Sequence, residues 1–169
     1  MTRRGFTIVE LIITITVMGI LLLLAVVNIG STQANARDEE RKADIEAISN
    51  SLERFYKTGT DDSTTFNRYP SLGLFTTLPT SITKNLLDID LKSFQAPSTP
   101  SGTISLIAAQ TPIQTGPSIP QPSVSQYVYQ PLKSDGTLCY SGDIDCRKFN
   151  LYYKLESGTT VYKVMSKNQ

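Results

Sequence analysis

Few residues in this 169-residue chain are equipped for chemistry, and the absences narrow the field first. There is no histidine, so the commonest general base and metal ligand are both missing, and hydrolytic triads and zinc chemistry lose their usual parts. Ser81-Ile82-Thr83-Lys84 matches S-x-x-K and Lys57-Thr58-Gly59 matches K-T-G, pieces of penicillin-binding enzymes. They stand in reversed order without the middle element, a coincidence that a Ser/Thr-rich chain produces readily. No enzyme is expected, and no cofactor is implied. Asp135, Asp143 and Asp145 are candidate oxygen ligands for calcium, but their spacing fits no calcium loop and solvated turns explain them equally well, so no metal is expected. Tyr127, Tyr129, Tyr152, Tyr153 and Tyr162 near Lys148, Lys154 and Lys163 could join stacking to charge on single-stranded nucleic acid. Alternating strand aromatics point first to core and cross-strand packing, and a net charge of +1 argues against a strongly basic binder. Nucleic acid stays open as a partner. Cys139 and Cys146, the only cysteines, are either reduced thiols or a disulfide formed outside the cytoplasm.

Glu10 is the most informative residue. It sits at the entrance of an apolar run, and a carboxylate at membrane depth costs about 2.5 to 3.5 kcal/mol at a helix centre, less near the interface. Such acids have a partner and a task. Arg3 and Arg4 are more than a helical turn away, but cleavage between Gly5 and Phe6 would make a cation. It would remove both arginines and leave a free amine at Phe6, positive even when methylated, one turn from Glu10 on the same chain or a neighbour. The net charge would then fall from +1 to −1.

The elements that must position these groups follow from an uneven distribution. The chain is 40% hydrophobic, yet 19 of the first 29 residues belong to the apolar set. Leu11 to Ile29 spans ~28 Å as a helix, enough to cross a bilayer core once. Arg3 and Arg4 place the amino end in the cytoplasm, against Arg37, Arg41 and Lys42 on the far side. A secretory signal peptide cut after Ala34-Asn35-Ala36 is the plainer alternative, although the apolar run is long for one and Glu10 is foreign to it. Beyond Gly30 the spacing Ile45, Ile48, Leu52, Phe55 predicts an amphipathic helix with one buried stripe. Asp38, Lys42 and Glu46, then Glu53 and Lys57, read as i, i+4 ladders of alternating charge. No proline interrupts Phe6 to Lys57, and Gly59 supplies a stop, so one helix of ~78 Å is predicted.

All nine prolines lie at or after Pro70, six of them between Pro97 and Pro122. That stretch reads as irregular connection, with a short apolar interruption at Ile104 to Ala109. Strands are predicted at Gln126 to Gln130, Lys148 to Leu155 and Thr159 to Met165, with Glu156-Ser157-Gly158 turning the second into the third. Phe149, Leu151, Tyr153 and Leu155 alternate with outward Asn150, Tyr152 and Lys154. A short helix is predicted around Ile82 to Leu87. The expected fold class is α+β, a long N-terminal helix packed on a small antiparallel sheet.

The run Gly5-Phe6-Thr7-Ile8-Val9-Glu10-Leu11, followed by an apolar helix containing Gly19, resembles the signal of type IV pilins and type II secretion pseudopilins. Many major pilins carry a proline near the end of the apolar stretch, where this chain has Val27; Gly30 is the nearest weak spot. The resemblance implies a pilin-like fold and a prepilin peptidase that cuts after Gly5. It further implies N-methylation of Phe6 and pairing of the Phe6 amine with Glu10 of an adjacent subunit. The implied organisation is a leader 1–5, a transmembrane and assembly helix 6–29, its amphipathic continuation 30–58, and an extracytoplasmic domain 59–169 with a Pro-rich connection 97–122. A Cys139–Cys146 bridge fits the C-terminal disulfide common in pilins. The implied partners are other pilin subunits, the peptidase, an inner-membrane assembly platform with its ATPase, and membrane lipid before assembly. The implied location is the bacterial inner membrane, single-pass with a cytoplasmic amino terminus, then an extracellular or periplasmic filament. Two rival readings are a secreted binding domain released after Ala36 and a membrane-anchored binding protein that does not polymerise.

Overall fold

The computed structural model describes residues 5–27, 29–59, 66–73, 88–110 and 120–168. Arg3, Arg4, Ser81, Lys84 and the helix predicted at Ile82 to Leu87 lie outside the described residues. One long helical segment, Ile8–Thr58, opens the chain, as α1 (Ile8–Val27) and α2 (Ile29–Thr58). It ends as the sequence predicts: Gly59 adopts φ +63°, and its N–H donates to the Phe55 carbonyl at 2.7 Å. A side chain would be strained at that φ, so glycine is the residue that closes the helix.

Four strands follow, β1 (Leu106–Ala108), β2 (Tyr127–Lys133), β3 (Cys146–Lys154) and β4 (Val161–Met165), in the spatial order β1-β2-β3-β4. The expectation of an antiparallel sheet holds for β2-β3 and β3-β4, but β1 pairs with β2 in parallel, so the sheet is mixed. Parallel neighbours need a crossover of a dozen or more residues. The Pro-rich stretch read as mere connection supplies that length, and its apolar interruption is β1. Strand β2 also runs past its predicted end, through Pro131. The Pro131 carbonyl accepts the Cys139 N–H at 3.0 Å, on the side away from β3. The missing proline N–H therefore removes no bond to β3, and a strand interior tolerates it.

Helix α2 lies on one face of the sheet. Ile45, Ile48, Leu52 and Phe55 are each at most 3% exposed and pack with Tyr127, Tyr129, Phe149 and Leu151. Each such side chain contributes about 1.5–3 kcal/mol of burial. The 3-4-3 stripe was thus legible, but the charge ladders were not. Asp38 and Glu53, members of those ladders, are 3% and 6% exposed. Tyr152, expected outward, is also buried, in a second cluster with Leu72, Ala109, Val128 and Leu138 on the opposite face. The loops before β1 and between β2 and β3 cover that part of the sheet, which a strand's own alternation cannot reveal.

Candidate functional site: the apolar amino-terminal helix

The helix begins at Ile8 because Thr7 caps it. Thr7 Oγ1 accepts the Glu10 N–H at 3.3 Å, and the Thr7 carbonyl accepts the Leu11 N–H at 3.2 Å. Thr7-Ile8-Val9-Glu10 therefore has the T-x-x-E spacing of a capping box. It places the Glu10 carboxylate in the first turn, where the helix dipole favours negative charge. Among the described residues no lysine or arginine pairs with Glu10. Phe6, just outside the cap, is 81% exposed. The acid and the residue expected to bear the amine thus sit at the same open end of α1.

Among the described residues, nothing covers α1. No described side chain from Ile8 to Ala25 is buried, and Leu21, Leu22, Leu23 and Leu24 are 60–71% exposed. Its most apolar window has a mean hydropathy of 2.7, and none of it is buried. Twenty residues make a rod of ~30 Å, the thickness of a bilayer core. The two hydroxyls in its first half are satisfied internally: Thr14 Oγ1 donates to the Leu11 carbonyl at 2.8 Å and Thr16 Oγ1 to the Ile12 carbonyl at 2.7 Å. A patch of this size is a surface for lipid or for other helices.

At the junction between helix and domain, α2 is fastened by groups that sequence reading missed. Asp38 accepts the backbone N–H groups of Glu156 and Ser157 at 2.7 and 3.0 Å, and pairs with Arg41 at 2.9 Å. Arg41 Nε donates to the Val124 carbonyl at 2.8 Å, and Arg37 grips Glu156 through two bonds of 2.8 and 2.6 Å. Burial alone would raise the Asp38 carboxyl, but the Ser157 and Glu156 hydrogen bonds and Arg41 outweigh it and hold it at about 2. One turn on, Asp44 accepts the Tyr127 hydroxyl at 2.9 Å. There burial prevails over that bond, and the carboxyl is pushed up to about 6. Farther along, Glu53 accepts the Tyr69 hydroxyl, the Lys167 N–H and the Asn168 amide, tying the C-terminal tail to α2. The sequence signal was present in the i, i+3 spacing of Asp38 and Arg41. The turn that completes the cluster is over a hundred residues away.

Cys139 and Cys146 form a disulfide with Cα atoms 5.5 Å apart. The three candidate calcium ligands surround this loop but do not converge. Asp135 accepts Thr137 N–H and Oγ1, Asp143 accepts the Tyr140 N–H and pairs with Lys133, and Asp145 takes Ser134 and Arg147. Each carboxylate lies below the usual range because of these hydrogen bonds. Among the described residues no group of three or more acids or cysteines is placed to hold a metal ion. The stacked pair Tyr153 and Tyr162, with ring centroids 5.3 Å apart, packs cross-strand on the helix side of the sheet, as strand alternation predicted.

No curated protein and no solved structure matches the chain. A family model does match residues 1–26, the segment holding Gly5, Phe6, the Thr7 cap, Glu10 and most of α1. That model is the prokaryotic N-terminal methylation motif, and this chain therefore carries the signal of type IV pilins and pseudopilins.

Proposed function

We propose that the chain is the precursor of a structural subunit of a type IV pilus or type II secretion pseudopilus. The observation that carries this reading is the methylation motif of residues 1–26 joined to an apolar helix that none of the described residues covers. Residues 1–5 are the leader, 6–29 the transmembrane and assembly helix, 30–58 its amphipathic continuation, and 59–169 the extracytoplasmic domain. The amino end faces the cytoplasm, where prepilin peptidase cuts after Gly5 and the new Phe6 amine is methylated. Lipid covers α1 until the helices of neighbouring subunits replace it in a filament core, with an inner-membrane platform and its ATPase supplying the work. The role is structural, not catalytic.

The mechanism assigns two tasks to the capped end of α1. Thr7 holds the first turn closed, so Glu10 is presented at a fixed angle, and the positive Phe6 amine of an adjacent subunit meets it inside the apolar bundle. A desolvated pair of this kind contributes little net stability, but leaving either charge alone costs several kcal/mol. It therefore penalises misregistered packing more than it tightens correct packing.

Mass spectrometry of the mature amino terminus tests this reading. Methylated Phe6 is the expected terminus, Gly5→Leu retains the basic leader, and Glu10→Ala is processed normally but incorporated poorly into filaments. A mature chain starting at Arg37, or full filament yield from Glu10→Ala, would overturn it.

A further inference from the structure

The two edges of the sheet are guarded unequally. Strand β4 forms one edge, and the Ser166 N–H, which donates to the Phe149 carbonyl at 3.0 Å, fixes which of its backbone groups face β3. By strand alternation those of Lys163 and Met165 face outward, so an exposed lysine stands on that edge. Charged edge residues of this kind discourage pairing with a further strand. Strand β1 forms the other edge. At its two ends the Ser105 carbonyl accepts the Tyr127 N–H at 2.8 Å, and the Ala109 N–H donates to the Tyr129 carbonyl at 2.9 Å. Alternation therefore turns the Ile107 backbone toward β2 and leaves the N–H and C=O groups of Leu106 and Ala108 pointing outward. Among the described residues no backbone group pairs with them on that side. No charge guards this edge, since the chain has no Asp, Glu, Lys or Arg from Ser93 to Leu132. Beside it lies a cleft of about 660 Å³, lined by Leu106 to Ala109 and by Leu72, Gly73, Tyr140 and Ser141. The Leu72 N–H donates to the Cys139 carbonyl at 3.0 Å, which ties these last lining segments together.

From the unpaired backbone groups and the uncharged cleft beside them we infer a docking site for an extended, uncharged peptide segment of a partner protein, which joins the sheet as a strand next to β1. In strand addition the main chain supplies hydrogen bonds, and pockets for alternate side chains supply selectivity. Leu106 and Ala108 offer two donors and two acceptors at the two-residue repeat of a strand, ~7 Å. Ile107 and Ala109 lie with Leu72 on the face turned away from α2, so every second side chain of the added strand enters the cleft on that face. A charged side chain there would lose its water without gaining a partner, whereas a small apolar or hydroxyl side chain fits the neutral lining. The β4 edge of a second copy, which bears Lys163, is a poor match for the same reason. Pairing of β1 with β1 of a second copy is the rival that the test must separate.

The site lies on the sheet and not on the assembly helix, so its test needs no filaments and leaves the assembly reading untouched. Fluorescence anisotropy is measured on the detergent-solubilised full chain with a capped, fluorescein-labelled peptide of ~7 residues that alternates threonine and valine. Saturable binding below ~1 mM is expected. The same peptide N-methylated at every residue lacks donors and should bind about tenfold more weakly, as should one with lysine in place of the central valine. Ala108→Pro removes an outward donor and no bond to β2, and should lower affinity about tenfold. Ile107→Lys, which leaves the backbone as it is, should do the same by charging the cleft, and Lys163→Pro on the opposite edge should change little. Far-UV circular dichroism checks that each variant is folded. Peptide addition should slow amide exchange at Leu106 and Ala108 but not at Ile107, whose N–H already faces β2. No binding at ~1 mM, equal binding by the N-methylated peptide, or full binding by folded Ala108→Pro and Ile107→Lys would overturn the inference. So would self-association of the free chain in sedimentation that Ala108→Pro abolishes, which would assign the edge to a second copy.

Discussion

Asp38 and Arg41, three residues apart on α2, form an ion pair of 2.9 Å with side chains 4% and 1% exposed, at the point where the helix meets the turn between β3 and β4. Neither charge could stay there alone. The pair is surrounded by the Glu156 and Ser157 amides, the Val124 carbonyl and the Glu156 carboxylate. A buried charge is tolerated when its remaining lone pairs and protons are also satisfied. This cluster fixes the domain to the helix that bears the methylation signal.

Asp38→Ala should therefore destabilise the domain by about 3 kcal/mol, since it leaves Arg41 buried beside two amides without an acceptor. The chain has no tryptophan, so far-UV circular dichroism in urea is the suitable readout. Asp38→Asn, which keeps one acceptor, should cost less. A loss within 0.5 kcal/mol of wild type for Asp38→Ala would assign the fastening to Arg37 and Glu156 instead.

Two of the buried carboxylates, Asp38 and Asp44, give stability opposite slopes with pH. Asp38 titrates at about 2 in the folded chain against 3.8 in a free side chain; its contribution is complete above 3.8 and is lost as pH falls toward 2. Asp44 titrates at about 6, so the folded state holds the extra proton and stability declines as pH rises from about 4 to 6. Together they place a maximum near pH 4. Asp44→Asn keeps an acceptor for the Tyr127 hydroxyl and should abolish the decline, adding up to about 3 kcal/mol at pH 7. Unfolding curves of both proteins at pH 4 and 7 decide it.

A Cβ at Gly73 would overlap the Cβ of Ser141 in the disulfide loop. Gly73→Ala should cost about 1–3 kcal/mol through this overpacking. Adding Ser141→Gly opens the space and should restore most of the loss. A double mutant no better than Gly73→Ala would show that the backbone, not the contact, requires glycine.

Reducing Cys139–Cys146 should lower stability by about 2 kcal/mol, because the closed loop is short and little chain entropy is recovered. The loop carries exposed Tyr140 and Ile144 at its tip. Hydrogen exchange should therefore rise between Cys139 and Cys146 while the β3-β4 pairing stays protected. Collapse of the whole sheet on reduction would give the bridge a global role.

Much of this protein is written along the chain. Residues Gly5 to Glu10 and the apolar run behind them are contiguous, so the signal, the capped start and the bilayer-length helix need no tertiary contact to be recognised. The stripe Ile45, Ile48, Leu52, Phe55 follows from helical periodicity, and the close of the helix from Gly59. Lys148, Lys154 and Lys163 were visible too, as charges near a set of tyrosines, but not the sheet face they share.

What only the tertiary structure decided depends on partners distant in sequence. Asp38 and Glu53 look like solvated ladder members until the β3-β4 turn and the C-terminal tail close over them. Strand β1 was too short to stand out from the Pro-rich connection until it found β2 beside it. Periodicity reports which way a side chain points; it does not report what arrives to cover it. The sharing of one sheet face by the three lysines is set by strand register, and register is a relation between segments that no single segment contains.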